Sequence, residues 1–259
     1  MRIATWNVNS LKARLARVED WLGYAQPDVL CMQETKLADS AFPSMAFQAL
    51  GYDSAHHGEG RWNGVAILSR VGLDDIVAGF SDETEDEVTE ARLLWATCNG
   101  VRVGTVYVPN GRVVGSEHYD AKLAWLDRLH EHITSSCDPT GNLLVCGDWN
   151  VAPEDRDVFD VTKLHGATHV SPPEREAVAA ITGWGMEDVF RRIYPDEERL
   201  YSWWDYRAGD FHEGRGLRID LMLATKPLAE RATFALIDRN ARKGKLPSDH
   251  APLLVDFDL

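Results

Sequence analysis

The chain has 259 residues, 44% of them hydrophobic and 26% charged, with 41 acidic side chains against 27 Lys plus Arg and a formal net charge of −14. That length suits one large domain or two small ones with a sizeable core, and the composition excludes general disorder. The longest apolar runs, such as 64–68 and 143–146, are strand-sized and too short to cross a bilayer, and no secretory leader is evident, so the expected location is the cytoplasm.

Residues 3–6 read as a strand ending in polar Asn7-Val8-Asn9. Ser10 is a suitable cap for a helix that carries Leu11, Leu15, Val18 and Leu22 on one face. Residues 28–33 form the next predicted strand, ending at Glu34. Segments 52–56, 65–68, 93–98 and 101–108 have the pattern of antiparallel strands, and Asn99-Gly100 between the last two is a strong hairpin signal. The stretch 74–90 carries eight acidic residues and no basic one, and reads as an exposed acidic loop. Its charge weighs against a polyanionic partner without fixing the sign of any one patch. A helix is predicted over 116–133 with Tyr119, Leu123, Leu126 and Ile133 on its apolar face. Residues 143–146 are a strand leading into Gly147-Asp148-Trp149-Asn150. Ser171-Pro172-Pro173-Glu174 supplies a cap, a helix-start proline and an acidic first turn for a helix to about Thr182. Segments 201–204, 219–224, 233–237 and 253–257 complete the strands.

No linker or low-complexity tract interrupts this alternation, which predicts one domain over 1–259 with an α+β layered sandwich rather than a dinucleotide-binding sheet. The order strands, helix, strands occurs twice, as two similar halves packed sheet to sheet would give. Cys31 and Cys146 lie inside apolar runs, Cys98 ends one and Cys137 falls in a loop. With no C-x-x-C pair, buried thiols are expected rather than a disulfide framework or a zinc site.

Six polar clusters fall at strand ends, where a rigid sheet can mount reactive groups: Asn7 with Asn9, Glu34, Tyr107 with Asn110, Asp148 with Asn150, Asp220, and Asp249 with His250. Each alone has an ordinary explanation as a turn former, a cap or a solvated carboxylate. Together they supply hard oxygen donors for a divalent cation, a histidine with aspartate partners, and a phenol, which suits metal-assisted phosphoester hydrolysis. G-x-S-x-G, H-E-x-x-H and Walker patterns are absent. His56-His57 reads as a surface pair, and His130 and His132 share no helix face. Trp203-Trp204 with Tyr206 suits either a core or a surface that stacks on nucleotides.

The strings Asn7-Val8-Asn9-Ser10, Gln33-Glu34-Thr35-Lys36, Tyr107-Val108-Pro109-Asn110-Gly111, Gly147-Asp148-Trp149-Asn150, Leu217-Arg218-Ile219-Asp220 and Ser248-Asp249-His250-Ala251-Pro252, in this order, resemble the motif set of the exonuclease III family. Pro173-Glu174-Arg175-Glu176 and the stretch 201–207 are similar to its bacterial branch in particular. The resemblance spans essentially the whole chain. It implies the deoxyribonuclease I-like fold of the endonuclease/exonuclease/phosphatase superfamily, a four-layer α/β/β/α sandwich with two mainly antiparallel sheets. It also implies a monomeric DNA repair nuclease dependent on Mg²⁺, with Mn²⁺ as a substitute. Such an enzyme cuts 5′ to abasic sites in double-stranded DNA and works from 3′ ends as an exonuclease and phosphodiesterase. Residue by residue, Glu34 matches the main metal ligand, with Asn7, Asp148, Asn150, Asp249 and His250 in the metal's surroundings. Asp148 matches the group that orients or deprotonates the attacking water, Asn150 the one that binds the scissile phosphate, and Tyr107 the active-site phenol. His250 matches the active-site histidine, oriented by Asp220. Asn110 and Arg112 match polar and cationic DNA contacts, and Trp203 an aromatic lying against the displaced sugar or terminal nucleotide. Leu217 stands where a relative specialised for abasic incision has a bulkier tryptophan. Two other readings share these residues: a phosphatase for a small-molecule or lipid phosphate, and a catalytically silent relative that binds RNA.

Overall fold

The computed structural model describes residues 1–80 and 90–259. Two six-stranded sheets pack face to face. The first contains β1 (Arg2–Asn7), β2 (Val29–Gln33), β3 (Asp53–His57), β4 (Val65–Ser69), β11 (Ala232–Ile237) and β12 (Leu253–Phe257), in the order β11-β12-β1-β2-β4-β3. The second contains β5 (Asp74–Ala78), β6 (Leu93–Cys98), β7 (Val101–Tyr107), β8 (Leu143–Asp148), β9 (Met186–Asp188) and β10 (Asp220–Thr225), in the order β5-β6-β7-β8-β10-β9. Each sheet has one parallel pair at its centre, β1–β2 and β7–β8, and is otherwise antiparallel. Helix α1 (Leu11–Ala25) connects the first parallel pair, the short α2 (Ser44–Ala49) follows β2, and α3 (Glu117–Ser136) connects the second pair. The α4 turn (Val161–Leu164) and α5 (Pro172–Gly183) lie between β8 and β9. The duplication suggested by the element order is therefore visible as two sheets with matching central crossovers.

Strand periodicity separates three apolar layers. Between the sheets lie Ile3, Val29, Cys31 and Ile67 from one side and Leu94, Val103, Leu144, Cys146 and Met222 from the other. On the outside of the first sheet, Ala4, Trp6, Leu30 and Met32 meet Leu11, Val18, Trp21 and Leu22 of α1. On the outside of the second, Trp95, Val106, Val145 and Leu221 meet Leu126, Leu129 and Ile133 of α3 and Val178 and Ile181 of α5. The result is the α/β/β/α sandwich. Cys31, Cys98 and Cys146 are buried thiols, and Cys137 is partly buried.

The local differences from expectation have physical reasons. Ser10 does not cap α1 with its side chain; its φ is 81°, and the carbonyls of Glu34 and Thr35 accept the Ser10 and Leu11 amides at 2.7 and 3.0 Å. A neighbouring turn thus satisfies the helix end that a hydroxyl was expected to satisfy. The Ser171 cap is present as a reciprocal capping box with Glu174. Asn99 and Gly100 both take positive φ (47° and 75°) between paired Cys98 and Val101, the tight hairpin expected there. Within the acidic stretch, residues 74–78 form an edge strand rather than a loop, while 81–89 lie outside the described residues. Residues 201–204 are not a strand, since Trp203 makes only isolated bridges to Leu217 and His250. On α3, Lys122 is buried and Leu123 only partly so, the reverse of the expectation.

Candidate active site

Inward-facing rows of both sheets change character towards one end. Along β1 the row is Ile3, Thr5, Asn7; along β2 it is Val29, Cys31, Gln33; along β7 it ends Thr105, Tyr107; along β8 it is Leu144, Cys146, Asp148. Strand β10 runs antiparallel to β8, with Asp220 opposite Asp148. The apolar middle layer thus opens into a polar mouth. Its floor is the buried Gln33 amide, whose Nε2 donates to Thr5 and Thr105 hydroxyls at 2.9 Å each and so joins the two sheets.

At the mouth, the Asn7 Nδ2 donates to Glu34 Oε1 at 2.8 Å and to Asp148 Oδ2 at 2.9 Å, while its Oδ1 accepts the Asn9 amide at 3.0 Å. His250 Nδ1 lies 2.8 Å from Asp220 Oδ2, and its Nε2 lies 3.7 Å from Asp148 Oδ2. Glu34, Asp148 and His250 each present one ligand atom within 4.8 Å of the others. Backbone geometry aims these groups: Glu34 and Asn150 both adopt left-handed φ (52° and 51°), turning the chain sharply just past β2 and β8. Gly147 precedes the second turn, where a Cβ would sit 2.0 Å from the Val106 carbonyl oxygen. Trp149, wholly buried on the opposite face of the sheet, fixes the intervening residue.

The electrostatics follow from burial of like charges. Burial pushes the Asp148 carboxyl up to about 7, against the pull of His250 and with Asp220 adding to the rise. Burial opposes charge on His250 as well, but Asp220 and Asp148 outweigh it and hold the imidazolium to about 10. Burial, then Glu34 and Asp148, keep the Tyr107 phenol protonated far above its ordinary range. Lys36 pairs with Glu34 at 2.8 Å. With two carboxylates and an imidazole converging beside amide groups, the site can hold a metal ion. The buried Asp220 Oδ1 and Gln33 Oε1, which have no hydrogen-bond donor among the described residues, add acceptor capacity nearby.

Most of the expected residues converge here: Asn7, Glu34, Tyr107, Asp148, Asn150, Asp220 and His250. Asn110 stands at the rim, its Nδ2 donating to Asn150 Oδ1 at 3.2 Å. Asp249 is not among the three converging groups; its carboxylate accepts from Asn9 Nδ2 at 3.0 Å and Trp203 Nε1 at 3.1 Å. Arg112 is exposed. Leu217 is only 3% exposed and packs with Ala152, Val158, Ile219 and Trp203, so it lines the core below the surface where a DNA contact was expected. Sequence reasoning missed Lys122 and His169, which reach the Asn150 carbonyl from beneath at 2.7 and 2.6 Å. Lys122 could have been found as the single cation in the 119, 122, 126, 129, 133 stripe of α3, whereas His169 lies in a loop without periodic signal.

The sequence profile described as the endonuclease/exonuclease/phosphatase family matches residues 4–250. The chain belongs to that family. Among its members, the exodeoxyribonuclease III of Haemophilus influenzae is 33% identical over 268 residues, which cover 99% of this chain and 100% of that protein. A solved AP endonuclease from Archaeoglobus fulgidus shares 41% identity with a TM-score of 0.95, and each chain is covered in full. A 3′ phosphatase from Neisseria, solved with a product DNA hairpin, shares 36% identity with a TM-score of 0.96, again over both full chains. These family likenesses run end to end, so the two-sheet architecture is the deoxyribonuclease I-like one.

Proposed function

We propose that this chain is a DNA repair nuclease that hydrolyses phosphodiesters in double-stranded DNA, on the 5′ side of abasic sites and at 3′ ends. The observation that carries this reading is the convergence of Glu34, Asp148 and His250 at the mouth of the two sheets, within a chain similar over its full length to DNA-processing hydrolases. The donor set is hard and oxygen-rich, which favours Mg²⁺, with Mn²⁺ as a substitute. Glu34 would be its principal protein ligand, with Asp148, Asn150 and His250 close by and Asp249 at the edge. When bound, the ion supplies polarisation of a phosphoryl oxygen and neutralises charge on the leaving oxygen.

The chain's own residues do the rest. Asp148, in contact with Asn7 and facing His250 Nε2, orients the attacking water and receives its proton. Asp220 holds the His250 ring so that its Nε2 N–H faces the reaction centre, where an imidazolium stabilises a developing phosphorane charge. Asn150 Nδ2 is held by the Val108 carbonyl at 2.9 Å and gives up its longer, 3.4 Å contact with Asp148 Oδ2 to donate its second hydrogen to a non-bridging phosphate oxygen. Asn110 uses the Nδ2 hydrogen not given to Asn150, and the protonated Tyr107 donates to another oxygen. Trp203, tethered to Asp249, forms the wall against which the displaced sugar or terminal nucleotide rests. Incision of an abasic duplex and dephosphorylation of a 3′-phosphate duplex, each with and without EDTA, test the reading. Metal-dependent cleavage of DNA is expected. Hydrolysis of an inositol phosphate with DNA left intact would overturn it in favour of a phosphatase.

A further inference from the structure

Beneath Asn110 and Asn150 lies a buried charge pair that the chemistry above leaves without a role. The side chains of Lys122, on α3, and Glu174, in the first turn of α5, are both 0% exposed and form an ion pair. The Lys122 ammonium also donates to the carbonyl of Asn150 at 2.7 Å and to that of Asn110 at 3.3 Å. Its three hydrogens are thereby all used. The single hydroxyl hydrogen of Thr168 has two acceptors in reach, the same Asn110 carbonyl at 2.9 Å and Glu174 Oε1 at 3.1 Å. His169 Nδ1 lies 2.6 Å from the Asn150 carbonyl, and since a carbonyl only accepts, Nδ1 carries the ring proton.

One ammonium therefore ties together the two segments that leave β7 and β8, at the point where the Asn110 and Asn150 amides touch. The backbone is shaped for this contact: at Gly111, with φ +80°, a Cβ would lie 2.9 Å from Lys122 Cδ and 3.1 Å from Thr168 Oγ1. Burying a charge pair in a core rarely stabilises a protein more than apolar packing of the same volume would. Three directional donors on two carbonyls and one carboxylate, however, fix positions that apolar side chains cannot.

We infer that Lys122 is a positioning residue that sets the spacing and orientation of the Asn110 and Asn150 amides. The inference rests on the phosphate-binding role proposed above for those amides. Because it places groups for the transition state and touches no DNA itself, it acts on kcat rather than on affinity.

The experiment compares wild type, Lys122→Met, the charge-neutral Lys122→Met/Glu174→Gln, and Asn150→Ala with and without Lys122→Met. Each is assayed for kcat and KM on 3′-phosphate and abasic duplexes, for duplex affinity in EDTA, and for melting temperature. Lys122→Met is expected to lower kcat roughly 10- to 100-fold, as a displacement of about an ångström would. KM and affinity in EDTA are expected to stay within about threefold of wild type. The neutral double variant regains melting temperature but not kcat. On the Asn150→Ala background, Lys122→Met lowers kcat less than about threefold, because the group it positions is already gone. Recovery of kcat along with stability in the neutral double variant would overturn the inference, as would a full multiplicative loss on the Asn150→Ala background. A wild-type protein that cleaves neither duplex would overturn the nuclease reading itself, and this role with it. Cleavage by wild type with Lys122→Met unaffected in kcat removes the positioning role alone.

Discussion

Asp148 accepts from Asn7, faces His250 and shares its surroundings with Glu34 and Asp220, so no one of these side chains acts in isolation. Removing Glu34 should leave the fold intact, since its carboxylate is partly exposed and its partners Asn7, Lys36 and the Tyr107 phenol all belong to the mouth of the site. We expect Glu34→Ala to keep its melting temperature within a few degrees while losing most metal-stimulated cleavage; full activity would remove its assignment as metal ligand. His250→Ala and Asp220→Ala are each expected to be severe, and the double variant little worse than the worse single, because the aspartate works through the ring it orients. Independent, multiplying losses in kcat would separate the two. Trp203 is only partly buried, and its indole donates to Asp249. Trp203→Ala is therefore expected to impair abasic discrimination with a modest loss of stability. A core role would instead cost about 3 to 5 kcal/mol in a melt and reduce every activity equally. Glu34, Asp148, Asp220 and His250 were legible in the sequence because each lies at or beside the end of an apolar strand in a recognisable string, and Trp203 through the likeness of the stretch 201–207. The orientation of Asn7, nitrogen towards both carboxylates, was not, since it depends on the Asn9 amide occupying its oxygen.

At the scale of elements, strand boundaries were readable wherever apolar runs met polar strings, and the Asn99-Gly100 turn was readable from its conformational requirement. The segment around Trp203 misled because its aromatic, β-prone residues exchange backbone hydrogen bonds with Leu217 on one side and with Asp249 and Ala251 on the other, as isolated bridges short of a ladder. Arg218, 0% exposed, binds Asp157 at 2.7 and 3.0 Å and Asp188 at 2.7 Å, joining the stretch after β8, the end of β9 and the start of β10. Burial alone would raise the Asp157 carboxyl, but Arg218 and then Arg191 hold it below the ordinary range. With the folded value below the unfolded one, this stabilisation is complete above about pH 4 and is lost as pH falls through the lowered value. Acid titration of stability is expected to show a shallower low-pH decline in Asp157→Asn, although that variant starts less stable at neutral pH. Arg218→Met leaves the buried Asp157 and the partly buried Asp188 each short of a partner and is expected to cost about 3 to 5 kcal/mol by denaturant unfolding.

For the whole molecule, a net charge of −14 conceals local segregation. Arg14 and Arg17 of α1 donate to carbonyls of 241, 243 and 245–247, which brings Lys243 and Lys245 beside them, with Arg239 and Arg242 on the preceding turn. Among the described residues, none of these six cations has a carboxylate within 4.0 Å, whereas Arg207 is paired with Asp205 at 2.5 Å. Duplex affinity is expected to fall steeply with salt, and Lys243→Ala/Lys245→Ala to reduce the log–log slope by about two. A flat plot would mean that this patch meets no phosphates. A layered sandwich of two similar halves was legible from the alternation of elements and its four layers from the family resemblance; Arg239, Arg242, Lys243 and Lys245 were readable as a basic cluster, but Arg14 and Arg17 join them only because α1 packs beside the 239–247 turn. The site itself belongs to neither sheet alone: Glu34 and His250 follow β2 and precede β12, while Asp148 and Asp220 sit on β8 and β10. A cation held among them would act as a rivet between the two halves of the molecule. Divalent metal is therefore expected to raise the melting temperature as well as to support cleavage, and Glu34→Ala to abolish that rise. Sliding one sheet against the other by a single residue would separate the ligands, so the ion would also serve as a gauge of how truly the halves are aligned.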